Sequence, residues 1–380
     1  MSRNFFGTDG VRGTVGSDPM TADFAMRLAS AAAQVLVPRG GTVVIGKDTR
    51  LSGYMFESAL EAGFVAAGAD VLLLGPLPTP GIARLTQDFH ADLGVVISAS
   101  HNPFFDNGIK FFDRHGSKLS DEVEHEIEAR LSEPAITLDS QALGKAKRID
   151  TARIRYEDFC AASLPDGLSL VGLKIVFDGA NGAGYKVGPR TLANLGAEVI
   201  PIGCSPNGRI INDGCGSTHP ELLELTVPAV KANVGIALDG DGDRVLMADE
   251  NGRLVDGDQL LFVLATARKD KDALEGPVVG TVMSNLGLEH ALAARDIEFR
   301  RASVGDRYVL ELLRETGGVL GGETSGHFLF TPMEEDERFR HVAVDDALLA
   351  SIKLVQSVYS SGKTFSRLAE GVLGEVDDGS

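Results

Sequence analysis

The sequence predicts an α/β protein built from three similar units, and three observations carry that prediction. Glycine is abundant, at 45 of 380 residues, and it clusters after short apolar runs. That is the pattern of buried strands ending in tight loops that carry function. A chain of 380 residues also exceeds one ordinary core, since about 100–200 residues make a domain. Finally, a strand, loop, helix, strand pattern occurs three times at spacings of a domain, too far apart for a solenoid.

The first copy opens on Thr42-Val43-Val44-Ile45-Gly46 and closes on Gly68-Ala69-Asp70-Val71-Leu72-Leu73-Leu74-Gly75. The second runs from Leu173-Lys174-Ile175-Val176-Phe177-Asp178 to Gly196-Ala197-Glu198-Val199-Ile200-Pro201-Ile202-Gly203. The third runs from Gly276-Pro277-Val278-Val279-Gly280-Thr281 to Ile297-Glu298-Phe299-Arg300. Boundaries are expected near Lys145–Arg155, after the charged helix Asp121–Leu131, and near Asn251–Gly257, after a hairpin turn at Glu250-Asn251-Gly252. The units are therefore 1–150, 151–251 and 252–368, with no fourth copy of the repeat.

Composition narrows the function. The chain is 43% hydrophobic and 24% charged, which reads as a soluble globular protein. No apolar run reaches the ~18 residues of a membrane span. The opening Met1-Ser2-Arg3-Asn4-Phe5-Phe6-Gly7 has no long apolar core and reads as no secretory signal. Three cysteines, Cys160, Cys204 and Cys215, form no C-x-x-C pair, so reduced thiols in a cytoplasmic protein are expected. A net charge of −18 argues against nucleic acid and anionic membranes as partners. An anionic substrate would need local cations or a metal.

Four motifs could supply them. Leu93-Gly94-Val95-Val96-Ile97-Ser98-Ala99-Ser100-His101-Asn102-Pro103 is a buried-type strand running into a small, polar loop. A serine at the carboxyl end of such a strand stands where α/β proteins put reactive groups, although the loop is no G-x-S-x-G elbow. It could equally satisfy turn backbone groups.

In Gly235-Ile236-Ala237-Leu238-Asp239-Gly240-Asp241-Gly242-Asp243-Arg244 three carboxylates alternate with glycines. Crowding them is unfavourable without a cation, and hard oxygen ligands point to Mg²⁺ or Ca²⁺. An EF-hand fails, because its sixth position needs glycine and here is Arg244. The flanks Val234–Leu238 and Val245–Ala248 also read as strands.

Gly321-Gly322-Glu323-Thr324-Ser325-Gly326-His327 offers hydrogen-bonding groups suited to sugar hydroxyls. Phe6-Gly7-Thr8-Asp9-Gly10-Val11-Arg12-Gly13 reads as a loop whose Arg12 can grip phosphate oxygens in pairs. Lys110, among apolar neighbours in Asp106-Asn107-Gly108-Ile109-Lys110-Phe111-Phe112, has either a lowered pKa suited to acid–base work or a packed stem with its ammonium in water. Gly46-Lys47-Asp48-Thr49-Arg50 lacks the full G-x-x-x-x-G-K-[ST] phosphate loop, which excludes an NTPase of that kind.

These four motifs, in this order, resemble the α-D-phosphohexomutase superfamily. The motifs at Phe6–Gly13 and Ile97–Pro103 look most like its bacterial members that act on glucosamine phosphate. The resemblance implies three topologically similar α/β domains around a central cleft, and Ser100 as a phosphorylated serine. It implies Asp239, Asp241 and Asp243 as Mg²⁺ ligands, joined by the Ser100 phosphate. It surrounds the phosphoserine with Arg12, His101, Lys110 and Arg244, Lys110 serving as general acid/base, and it gives Glu323 and Ser325 to sugar hydroxyls. The substrate it implies is a phosphosugar, turned over through a 1,6-bisphosphate. A homodimer is compatible with the resemblance, though no residue pattern marks an interface.

The family's Arg-x-Ser-Gly-Thr-x-Pro loop, which grips the non-reacting phosphate from a fourth domain, is not found. The expectation is therefore that residues 369–380 begin a truncated fourth domain. Phosphomannomutase or phosphoglucomutase activity, binding of metal and phosphosugar without full turnover, and a Ca²⁺-binding module remain as alternatives.

Overall fold

The computed structural model describes residues 5–7, 9–165, 167–331 and 345–372; Thr8 of the first motif and residues 373–380 lie outside the described residues. In the first unit lie β1 (Val11–Thr14), β2 (Thr42–Lys47), β3 (Asp70–Pro76), β4 (Leu93–Ile97), β5 (Asp106–Asp113) and β6 (Ala146–Arg148). They form one sheet in the order β1-β5-β4-β2-β3-β6. The second unit's sheet holds β7 (Lys174–Asp178), β8 (Glu198–Ile202), β9 (Val234–Leu238), β10 (Val245–Ala248) and β11 (Leu254–Val255), ordered β11-β10-β9-β7-β8; β11 pairs with β10 and so carries this sheet past the boundary expected at 251. The third holds β12 (Val278–Thr281), β13 (Phe299–Ala302), β14 (Leu320–Gly322) and β15 (Phe328–Phe330), ordered β13-β12-β14-β15.

Each sheet repeats one device. A trio of parallel strands (β4-β2-β3, β9-β7-β8, β14-β12-β13) is extended by a strand that pairs antiparallel with its edge. That edge strand and its antiparallel partner are consecutive in the chain: β4 with β5, β9 with β10, β14 with β15. The loops between them carry Ser100, the three aspartates and Glu323. Three motifs far apart in sequence thus occupy equivalent places at carboxyl ends of parallel strands, where α/β sheets hold ligands.

The parallel strands that lead into the Ser100 and aspartate loops, β4 and β9, are apolar along their whole length and fully buried, as strands covered by helices on both faces must be. The helices begin on ordinary signals. Thr21 caps Ala22–Leu36, and Asp256 forms a capping box with Gln259 at Gly257–Lys269. The first unit has a core of its own around Phe24, Phe56 and Phe64. A larger core runs through the second and third units and takes in Ile82 and Leu85 of the first unit's helix Thr79–Asp88. The three loops are therefore carried on layers that share packed apolar surface. Ala369 and Val372 belong to that same larger core, with Leu260 and Leu288. Among the described residues, no helix is long and apolar enough to cross a membrane.

Candidate active site

Ser100 sits at the end of β4 in a left-handed backbone conformation, with φ 49°. Its Oγ donates to Asp239 Oδ2 at 2.5 Å and lies 3.4 Å from His101 Nδ1. The aspartate loop can come this close because of Gly240. A Cβ there would stand 2.5 Å from the Ser100 carbonyl oxygen, so any larger residue would push the two loops apart.

The three aspartates converge as the sequence predicts. One carboxylate oxygen from each lies within 4.8 Å of the others. Asp239 Oδ1 accepts from the backbone N–H groups of Gly242, Asp243 and Arg244, at 3.1, 3.2 and 3.2 Å. Asp241 Oδ2 accepts from Thr79 Oγ1 at 2.7 Å and Lys110 Nζ at 2.9 Å. Asp241 Oδ1 is buried with no hydrogen-bond donor among the described residues, and Asp243 Oδ1 faces His327 Nε2 at 3.5 Å. Burial and the neighbouring charges of Asp243 and Asp241 push the Asp239 carboxyl well above the usual carboxylate range. Unsatisfied buried carboxylate oxygens beside a hydroxyl are a donor set that a hard dication fits.

Two expectations about the cations need correction. Arg12 does not sit on a loop but on β1, paired opposite Gly108 of β5. Gly10, at φ 78°, also serves close approach: a Cβ there would meet the Ile109 carbonyl oxygen at 2.4 Å. Arg12 forms an ion pair with Asp9, and the charges of Asp241 and Asp243 add to it; together they outweigh burial and raise its pKa.

Lys110 fits neither of its two alternatives: it is buried away from water, and its pKa is raised, not lowered. Burial alone would lower it, but Asp241 and Asp9, each 2.9 Å away, and Asp243 at 3.8 Å hold the ammonium charged. His101 shifts the other way. Half-buried and near Arg244 and Arg12, it has its pKa lowered and is neutral at pH 7.

From the third unit, Glu323 is buried and accepts from Gly305 N–H at 2.9 Å. His327 Nδ1 lies 3.1 Å from Glu323 Oε2 and 3.2 Å from Ser325 Oγ. Burial alone would lower its pKa. The charge of Asp345 and the contacts to Asp243 and Glu323 reverse that and raise it well above the ordinary value. Arg244 Nε lies 3.1 Å from His327 Nε2, and Ser325 itself is exposed at the rim.

The structure thus gathers Ser100, His101, Lys110, Arg12, the three aspartates, Arg244 and Glu323 at one junction of the units. Sequence reasoning missed several partners. Asp9 joins Lys110 to Lys118, whose Nζ reaches Asp9 at 3.0 Å and Asp306 of the third unit at 2.6 Å. His327 was in view only as part of its motif. Asn212 had one signal, since it lies in an 18-residue connection, 203–220, between β8 and the helix Glu221–Ala229. Connections of that length without structure of their own are usually functional.

Comparison with known proteins gives the same picture. Residues 3–135, 158–252 and 256–375 match the models described as phosphoglucomutase/phosphomannomutase, alpha/beta/alpha domains I, II and III. A phosphoglucosamine mutase of Thioalkalivibrio sulfidiphilus is 53% identical over 369 residues, covering 97% of this chain and 80% of that relative. One from Pseudomonas fluorescens is 52% identical over 373 residues, covering 98% and 82%. A phosphoglucomutase/phosphomannomutase family protein of Burkholderia thailandensis superposes with a TM-score of 0.81 at 26% identity, covering 97% of this chain and 80% of that one. The N-acetylphosphoglucosamine mutase of Aspergillus fumigatus, solved with GlcNAc-6P and magnesium, shares the fold at 16% identity and a TM-score of 0.62, covering 97% and 80%.

Proposed function

The chain belongs to the phosphoglucomutase/phosphomannomutase family and is a phosphosugar mutase, and from that premise we propose that it interconverts glucosamine 6-phosphate and glucosamine 1-phosphate through a phosphorylated Ser100. The observation that carries this reading is the 2.5 Å contact between Ser100 Oγ and Asp239 Oδ2 at the edge of a carboxylate cluster with unsatisfied oxygens. The phosphoglucosamine mutases at 52–53% identity support the amino sugar over glucose or mannose.

Asp239, Asp241 and Asp243 would hold Mg²⁺, and the A. fumigatus protein of this fold was solved with GlcNAc-6P and magnesium. A dication there would supply positive charge against the three carboxylates and the phosphoryl oxygens.

In the first half of the cycle the bond between phosphorus and Ser100 Oγ breaks and a bond from phosphorus to O1 of the sugar forms. Lys110, held as an ammonium by Asp9 and Asp241, gives a proton to the departing serine oxygen and recovers one from the sugar hydroxyl. Arg12 offers its guanidinium to the equatorial phosphoryl oxygens, and neutral His101 borders the serine without adding charge. Glu323, kept ionised by His327, and Ser325 accept from sugar hydroxyls. The bisphosphate then turns in the cleft, its 6-phosphoryl returns to Ser100, and glucosamine 1-phosphate leaves. Transfer of this kind depends on alignment and charge more than on covalent protein chemistry.

The test is turnover of glucosamine, glucose and mannose 6-phosphates, followed by mass analysis of the peptide holding Ser100. A preference for glucosamine 6-phosphate with phosphate on Ser100 is expected. Equal or better turnover of mannose or glucose 6-phosphate would move the specificity, and a phosphate on another residue would remove Ser100.

A further inference from the structure

The Ser100 loop is held by its carbonyl oxygens, from two units at once. Asn212 Nδ2, from the connection 203–220 of the second unit, donates to Ser100 O at 2.9 Å and to Asn102 O at 3.1 Å. Arg50, from the first unit and fully buried, donates through Nη2 to Ser100 O at 3.2 Å and to Asn102 O at 2.5 Å. Arg50 is anchored by an ion pair with Asp48, which also accepts from Ser98 Oγ at 2.5 Å, and that same Oγ accepts the Ser100 N–H at 3.0 Å. Asn212 is anchored in turn, its backbone N–H donating to Ala180 O at 2.9 Å.

A non-glycine residue at φ 49° is strained and persists only where its surroundings over-determine it. The four bonds to two carbonyls are that over-determination. Three of the donating and approaching groups, Asn212, Gly240 and Asp239, come from the unit that carries the aspartate cluster. Besides the 2.5 Å to Ser100 O, a Cβ on Gly240 would lie 2.8 Å from Asn212 Nδ2, so the three loops meet at one point.

We propose that Asn212, acting with Arg50, is a positioning residue that fixes the direction of Ser100 Oγ relative to the aspartate loop. Asn212 touches neither the sugar nor the carboxylates through these contacts; it acts on the reaction through the serine backbone. The second unit thereby holds both the cluster and the residue that must face it. The inference rests on Ser100 being the phosphoryl carrier.

The experiment compares Asn212→Ala, Asn212→Asp and Ser100→Ala with the parent full chain, using glucosamine 6-phosphate and Mg²⁺. Displacing a reacting group by about 1 Å can cost on the order of 10²-fold in rate. Both Asn212 variants are expected to lose about 10²-fold in kcat and in single-turnover transfer from phosphorylated Ser100, with KM within about two-fold of the parent. Asn212→Asp, which keeps size but turns a carboxylate towards two carbonyls, is expected to lose at least as much. A merely structural role would lower the folded fraction and leave the transfer rate per folded molecule unchanged, which would overturn the proposal. Parent-like transfer in either folded variant would overturn it as well. Full turnover by Ser100→Ala would instead remove the reading beneath it, so the two failures are distinguishable.

Discussion

Lys110 Nζ stands 2.9 Å from Asp241 Oδ2, deep in the interior, as the one side chain that joins the strand after the serine loop to the carboxylate cluster among the described contacts of Asp241 with cations. Its replacement by methionine removes both a proton carrier and the charge that balances three carboxylates. Lys110→Met is expected to lower kcat by about 10²–10⁴-fold. Breaking a buried pair by deleting one partner costs about 3–5 kcal/mol, so metal-free Lys110→Met should also melt lower than the parent. Mg²⁺ should narrow that gap. Calorimetry with and without Mg²⁺ checks it, and equal melting of the two metal-free proteins would contradict the charge balance described.

Removing the metal should destabilise the protein itself. A ligand bound only by the folded state adds about 2.7 kcal/mol at a hundredfold excess over its Kd. Mg²⁺ is expected to raise the parent's melting temperature, and chelation to reverse the rise. Asp243→Asn, which leaves the Lys110–Asp241 contact in place, should lose most of the rise. The readout is melting temperature against Mg²⁺ concentration, and an unchanged Mg²⁺ response in Asp243→Asn would remove that residue from the cluster.

Asp346 gives a pH dependence away from the cleft. It caps the helix Ala347–Ser361, accepts from Tyr156 Oη at 3.0 Å, and burial pushes its pKa up to about 6 despite the bonds it accepts. The unfolded value is about 3.9. The folded state therefore holds the proton more tightly. The stability that this contributes is fully present below about pH 4 and is lost as pH rises through about 6, a change of roughly 3 kcal/mol. Asp346→Asn lacks that loss. Urea midpoints of the two proteins should diverge between pH 4 and 7 in favour of the variant; a constant difference would show that Asp346 ionises as freely folded as unfolded.

The three thiols should be inert. Burial raises Cys204 to about 12 and Cys215 to about 11, with Asp178 adding to both, and pushes Cys160 well up. At pH 8 a thiol with a pKa of 11 is ionised in about one molecule in a thousand. Alkylation of the native protein at pH 8 is expected to be far slower than in urea. Rapid labelling of Cys215 in the native state would mean that its thiolate is stabilised.

Much of this was legible along the chain. Val234–Leu238 and Val245–Ala248 were readable as strands because short apolar runs flank an alternation of aspartate and glycine that neither helix nor core accommodates. The need for a cation was readable from three like charges at alternate positions. What was not legible depends on residues distant in sequence. Lys110 reads as a lysine in apolar surroundings because its neighbours in sequence are Ile109 and Phe111. On a strand those point to the opposite face, and the residues facing Lys110 are Asp9 and Asp241. Arg12 looked like a loop residue because Gly10 and Gly13 flank it, whereas the first of these serves a close backbone approach. Asn212 carried only the hint of a long connection, since its role appears when the 203–220 connection meets a loop 110 residues earlier.

Turnover of Ser100→Ala beside the parent chain, with glucosamine 6-phosphate and Mg²⁺, bears most directly on the hydroxyl that Asp239 faces at 2.5 Å. The expected result is a folded variant that melts like the parent, carries no phosphate and shows no measurable interconversion. A folded Ser100→Ala that still produces glucosamine 1-phosphate at the parent's rate would contradict the account.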